Sequence, residues 1–261
     1  MERKKKQTIK NMAITDHLKE LRKVILISAY AIAAGSIGGW LLSDYTYKIL
    51  AKPIEGISQT HFITTTPMEP ILVKLQVSLV VGVIIALPII LWQIWSFILP
   101  ALKENEKKYV YFIVPPSLIL FLTGASFSFL VVLPMGLKFL LLAGSGVEST
   151  PFVTMSSYLR FIITFLLSFG LVFQLPILLL LLIRIGVISP DFLARKRKWA
   201  FFIIIVLSAI ISPTPDLVTQ LLMAGPMYML YEVSIWLGYL ITRKKKRRQI
   251  RLNNQERGIE S

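Results

Sequence analysis

Six long apolar runs, with basic residues sorted almost entirely to one side of them, constrain this chain more than anything else in it. The runs cover about 24–43, 71–98, 110–135, 154–182, 199–212 and 217–241. About 20 residues at a rise of 1.5 Å each cross a bilayer core about 30 Å thick, and most of the runs reach that length. With the termini and alternate loops set on the inner side, few of the 29 lysines and arginines fall outside. Only Lys48, Lys52, Lys74, Lys138 and Arg160 lie on the outer side or at outer helix ends. Positive charge stays where it need not be translocated, so both termini are expected in the cytoplasm. The expected fold class is an all-α membrane protein of six transmembrane helices, several kinked or tilted, forming a concave bundle.

Composition supports that class. A chain that is 55% hydrophobic, with mean hydropathy +0.68, cannot present a polar surface to water over a soluble domain of this size. The net charge of +15 sits in loops beside the runs, where it sets topology and meets anionic lipid rather than nucleic acid. There is no cysteine, so no disulfide framework. The first run is too long for the apolar core of a cleaved signal peptide. A single membrane domain is expected over 8–242, between a mobile basic tail at 1–7 and a basic cytoplasmic tail at 243–261.

Local signals refine the picture. Residues 14–23 (ITDHLKELRK) read as a short helix lying on the inner interface, capped by Asp16, with Ile14, Leu18, Leu21 and Ile25 on one face. The outer loop 44–70 is the longest. Tyr45, Tyr47, Pro53, Phe62 and Pro67 suit it to a packed cap. Run five offers only about 14 apolar positions, short for a span, and predicts a tight hairpin with run six, turning at SPTPD (212–216). Pro88, Pro115, Pro116, Pro134 and Pro176 each remove an amide donor and bend a helix, Pro176 being the expected hinge of run four. No internal repeat supports an inverted-repeat transporter.

Motifs for enzyme chemistry are missing: no HExxH, Walker A or GxSxG, and no pair of intramembrane aspartates. No catalytic residue and no cofactor are expected. His17 and His61 fall on opposite sides of the membrane, so no metal site is expected either. What remains are polar groups in costly or exposed places. Glu20 in HLKELR and Glu106 in PALKENEKK both fall on the inner side. Two separated carboxylates there suit a pair of guanidiniums; simple pairing with a neighbour such as Arg22 or Lys107 is the competing account. Gln174 in run four is either a hydrogen bond between helices or a polar point in a groove. Asp216 suits the cap of the last helix, with Gln220 just inside it. Glu232 lies deep enough to require protein or water around it, and serves either a hydrogen bond within the bundle or a direct role.

Taken in order and spacing, a set of fragments resembles the TatC family, the multispanning core of the twin-arginine protein translocase. These are HLKELR (17–22), Pro53, WQIWSFILPALKENEKK (92–108), FGLVFQLP (169–176), SPTPDLVTQ (212–220) and PMYMLYE (226–232), and the likeness runs over about 14–240. The resemblance implies a receptor in the cell membrane for folded precursors whose signal peptides carry Arg-Arg. It implies Glu20 and Glu106 as the signal-binding carboxylates, with Leu21, Arg22 and Phe97 beside them. It also implies a contact region for TatA- or TatB-type single-span partners at Gln174, Pro213, Thr214, Asp216 and Gln220. Pro53, Pro88, Pro176 and Glu232 are then structural, self-association is expected, and the proton-motive force drives export. Gln174 departs from the glutamate frequent in the family, so docking there must use a hydrogen bond and not charge. The alternative from another class is a small-solute transporter or channel with Gln174 and Glu232 at a midplane site.

Overall fold

The computed structural model describes the backbone of residues 2–55, 62–98, 108–143, 153–212, 214 and 216–259, and side chains within 18–54, 62–98, 112–141, 153–212, 214 and 216–243. The described elements are, in order, α1 (Glu2–Glu55), β1 (Phe62–Ile63), α2 (Glu69–Ile98), α3 (Lys108–Phe127), α4 (Leu133–Ala143), β2 (Val153–Thr154), α5 (Met155–Val172), α6 (Leu175–Arg184), α7 (Pro190–Arg195), α8 (Arg197–Ile211) and α9 (Leu217–Ile259). A π-helical turn, Ser128–Val132, joins α3 to α4.

α1 is one unbroken helix, which corrects two expectations. The segment 14–23 is not a separate interfacial helix, and Asp16 is interior rather than a cap. Pro53 lies near the end of α1 and not in a loop. The reason is local: no proline precedes position 53, so nothing removes a ladder hydrogen bond earlier, and the helix ends two residues after it does.

The chain forms two compact units. In the first, Met1–Ile119 with Glu148–Ile163, α1 and α2 run antiparallel in close contact. Glycines set the approach. A Cβ on Gly39 would lie 2.5 Å from the Ser78 carbonyl oxygen, and one on Gly82 would fall on the Ser36 hydroxyl. Pro88 sits inside α2 without interrupting it. At the end of the hairpin where α1 finishes and α2 begins, the first turns of α5 complete the packing. Leu50, Ile54, Val77, Tyr158, Leu159 and Ile162 are buried there, and the Tyr158 hydroxyl donates to the Leu50 carbonyl at 2.8 Å. β1 pairs in parallel with β2, Phe62 opposite Val153, a two-residue contact that the helical reading of the sequence did not anticipate.

In the second unit, Leu120–Val147 with Thr164–Ser261, α6, α7 and α8 pack on α9 around Ile183, Leu193, Ile204, Met227, Tyr231 and Ile235. Phe127 and Phe169 meet at 6.0 Å between ring centres, Phe165 and Phe169 at 6.3 Å. Prolines shape the local paths. Pro134 has no N–H to give the Leu130 carbonyl, and the chain adjusts by widening one turn, so that the Leu133 N–H reaches back to Ser128. Pro176 likewise has no N–H for Val172, and the helix is interrupted at Phe173–Gln174 before α6 begins. α7 has a full N-terminal signature: the Ser189 hydroxyl accepts from the Phe192 amide at 3.1 Å, with Pro190 in the first turn.

Candidate functional site

Glu20, Leu21 and Arg22 are consecutive on α1 and all exposed, Leu21 at 38%. Phe97 is half-buried, one residue before the end of α2. Because α1 and α2 are antiparallel, the early turns of α1 and the last turn of α2 lie at the same end of their hairpin. Glu106 and Pro213 are outside the described residues.

The turn between α8 and α9 is held by short-range polar contacts. Asp216 caps α9, its carboxylate accepting from the Thr219 amide at 2.6 Å. Burial acts to raise the Asp216 carboxyl, but the hydrogen bonds donated to it outweigh that effect and hold it below the usual carboxylate range. The Ser212 hydroxyl donates to the Thr214 carbonyl at 2.8 Å. Gln220 sends its side-chain amide across to the Ile205 carbonyl on α8 at 3.1 Å. Thr214, Asp216 and Gln220 are thus gathered at one end of an antiparallel helix pair. Gln174 stands at the break between α5 and α6, with its side-chain oxygen enclosed.

Glu232 is engaged at both carboxylate oxygens. Arg197 Nε lies 2.8 Å from Oε1 and Nη2 2.9 Å from Oε2, the forked geometry that a guanidinium favours. The Tyr228 hydroxyl donates to Oε1 at 3.0 Å. Two further tyrosines tie α9 to α7: Tyr231 to the Leu193 carbonyl and Tyr239 to Asp191, both at 2.8 Å. Pairing with Arg197 clamps the start of α8 to α9 and gives the Glu232 carboxylate a partner at each oxygen.

One polar centre was missed. Glu69 opens α2 and is only 2% exposed. One carboxylate oxygen accepts from the Thr65 amide at 2.7 Å and its hydroxyl at 3.1 Å. The other accepts from the Ser156 amide at 3.0 Å and its hydroxyl at 2.8 Å. In sequence it reads as a glutamate at the edge of a span, and half of its donors lie 87 residues away. The one local signal is a threonine four residues before a glutamate that opens a helix. Among the described residues, no group of three or more His, Cys, Asp or Glu is placed to hold a metal ion.

The helices define a class. Leu18–Ile54, Glu69–Ile98, Phe112–Leu141 and Met155–Arg184 are each long and apolar enough to cross a membrane, which makes this a polytopic helical membrane protein. Residues 16–226 match the model of the family described as Sec-independent protein translocase protein (TatC). The TatC of Carboxydothermus hydrogenoformans is 41% identical over 237 residues, 90% of this chain and 96% of that one. The TatC of Aquifex aeolicus is 42% identical over 237 residues, covering 90% and 98%. A crystal structure of the twin-arginine translocase receptor TatC in DDM superposes with a TM-score of 0.76 at 42% identity, over 85% of this chain and 99% of that one. The chain belongs to the TatC family, a membrane component of Sec-independent protein translocation.

Proposed function

We propose that this chain is the receptor core of a twin-arginine translocase, gripping the paired arginines of a precursor's signal peptide with Glu20 and Glu106. One observation carries the reading. A carboxylate stands exposed at the start of the first long apolar helix, within HLKELR, in a chain 42% identical to a protein whose structure is described as a twin-arginine translocase receptor. A guanidinium meets a carboxylate through two parallel hydrogen bonds, so two carboxylates select two arginines over two lysines. Leu21 and Phe97 offer apolar contact at the same end of the α1–α2 hairpin, and Arg22 sets the local charge.

The same reading gives the chain six spans, with α8 and the apolar part of α9 as the last two and both termini in the cytoplasm of a cell-membrane protein. The distribution of lysine and arginine supports that orientation. Residues 8–242 form the membrane domain, flanked by the basic tails. With 15 residues, α8 is about 22 Å long at 1.5 Å per residue, shorter than a bilayer core of about 30 Å. The bilayer thins beside it, and single-span TatA- or TatB-type helices dock there against Pro213, Thr214, Asp216, Gln220 and Gln174. Gln174 contributes a hydrogen bond that no pH change removes. Copies of the chain associate, and the proton-motive force drives transport of the folded cargo. Glu232, held by Arg197 and Tyr228, is a structural clamp, which weakens its use as a solute site.

Site-specific photocrosslinking tests the reading. A crosslinker at position 23, exposed on α1 beside the site and leaving both carboxylates in place, forms adducts with an Arg-Arg signal peptide, loses them with Lys-Lys, and loses them on Glu20→Ala or Glu106→Ala while the protein stays membrane-inserted. Equal adducts from both peptides, or from either variant, would end the proposal.

A further inference from the structure

The groove on the α1–α2 hairpin has the polarity of a phospholipid. At the end where α1 finishes and α2 begins, a cavity of about 440 Å³ is lined by Asp44, Tyr47, Lys48, Val73 and Lys74, a size typical of ligand sites. A second cavity of about 460 Å³ lies deeper on the same two helices, lined by Ile37, Trp40, Leu41, Leu75 and Leu79. The two meet at one contact: Lys74, in the wall of the first, holds its ammonium 5.2 Å from the ring of Trp40, in the wall of the second. Charged groups thus lie at one end and hydrocarbon at the other.

Charge chooses the headgroup. Lys74 shares its charge with Asp44, at 3.3 Å from Oδ1 and 3.4 Å from Oδ2. Lys48 is exposed and makes no ion pair among the described residues. The cluster of two lysines and one aspartate has a net charge of +1, which one phosphodiester neutralises. An ammonium-bearing headgroup would bring a second cation to a site whose one carboxylate is already engaged. Below the lysines, Leu41 is 84% exposed, Ile37 76% and Leu79 54%, on helices long and apolar enough to lie in a membrane. At that depth acyl chains are the available cover, and the Trp40–Lys74 pair has the composition of an interfacial anchor.

We infer that this groove is a binding site for one anionic glycerophospholipid of the leaflet nearest residues 44–74. Its phosphodiester is held by Lys48 and Lys74, and an acyl chain lies along Ile37, Leu41, Leu75 and Leu79. The site is independent of Glu20 and Glu106, and its occupancy is read without precursor or partner.

Native mass spectrometry of the full chain, released from detergent with added lipid, tests it. Phosphatidylglycerol is retained one to one, in preference to phosphatidylethanolamine of the same chains. Lys48→Gln weakens retention about fivefold, the effect of one lysine at a lipid headgroup, and Lys48→Gln with Lys74→Gln weakens it further. Leu79→Trp fills the groove at an exposed position and lowers retention with the lysines intact; melting temperatures confirm that each variant is folded. Retention equal in parent and double variant overturns the inference. So does equal retention of a neutral diacylglycerol, or displacement of the lipid by inorganic phosphate alone. A dimer peak abolished by Leu79→Trp also overturns it, since a second copy would then cover the groove.

Discussion

Replacing Gly82 by alanine places a methyl group where the α1–α2 contact leaves no room. A Cβ there lies 2.6 Å from the Ser36 amide nitrogen and 2.8 Å from the Ile32 carbonyl oxygen. Heavy atoms pack best at about 3.5–4.0 Å, so the helices must separate by roughly 0.7–1 Å, and a gap of that size forfeits about a quarter to a half of each contact's attraction. The Ser36 hydroxyl, nearer still, is a side-chain atom that can rotate aside, but these two atoms are backbone and cannot. Overpacking of this kind costs about 1–3 kcal/mol. Alanine is the better helix former by up to about 1 kcal/mol, so the comparison needs a control that carries the same gain. Gly38→Ala is that control, because a Cβ there meets nothing within 4 Å. At about 2–4 °C per kcal/mol for a chain of this size, Gly82→Ala should melt about 2–12 °C below Gly38→Ala. Gly38→Ala itself should match or exceed the parent. Tryptophan fluorescence during heating in detergent, with size-exclusion profiles before and after, reads the difference. If the two variants melt together, the close approach at Gly82 does not limit packing and the account of the hairpin is wrong.

Two further outcomes follow from the polar contacts. Glu69→Gln should lower the melting temperature by several degrees, because an amide nitrogen turned toward either arm meets a backbone N–H that needs an acceptor; Glu69→Ala should lower it more. Adding Ser156→Ala to Glu69→Ala should cost less than Ser156→Ala costs alone, and full additivity would refute the shared contact. Asp216 gives a pH signature. Its carboxyl is held below its usual range in the folded chain, so its charged form adds stability that is present above the unfolded value of about 3.9 and is lost as pH falls through the folded value. Asn caps a helix about as well as Asp. The melting-temperature gap between the parent and Asp216→Asn should therefore favour the parent near neutral pH and close under acid; a gap unchanged with pH would exclude the charge as its source.

The sequence was most readable where a single segment decides the outcome. The second run, set at 71–98, is α2, Glu69–Ile98, because apolar length and Pro70 mark both its extent and its start. The interruption before Pro176 follows from one missing N–H. The end of α1 was harder: aromatic and proline residues after 43 suggested a loop, but none of them breaks a helix until Pro53 does. α7 was overlooked although Ser189-Pro190-Asp191 states its start, because six residues in a basic loop carry no periodicity. Contacts between distant segments left the weakest trace. Neither Phe62 nor Val153 announces a strand pair, and nothing near Glu69 points to Ser156. Of the candidate site, the carboxylate, amide and capping residues were legible as polar groups in unusual places. The partner of Glu232 was not, because Arg197 stands among four consecutive basic residues and only the α8–α9 packing selects it.

The bond network at Glu69 also imposes an order on biogenesis. The carboxylate and its Thr65 donors leave the ribosome together, but Ser156 follows only 87 residues later. Until then the α1–α2 hairpin is a half-finished corner, with one oxygen turned to water. The arrival of α5 supplies the missing donors and withdraws that oxygen from solvent. A nascent chain arrested before residue 156 should therefore leave the Glu69 carboxylate open to a water-soluble carbodiimide, and one arrested well after it, with Glu69 buried, should not, making this corner a timer for completed insertion.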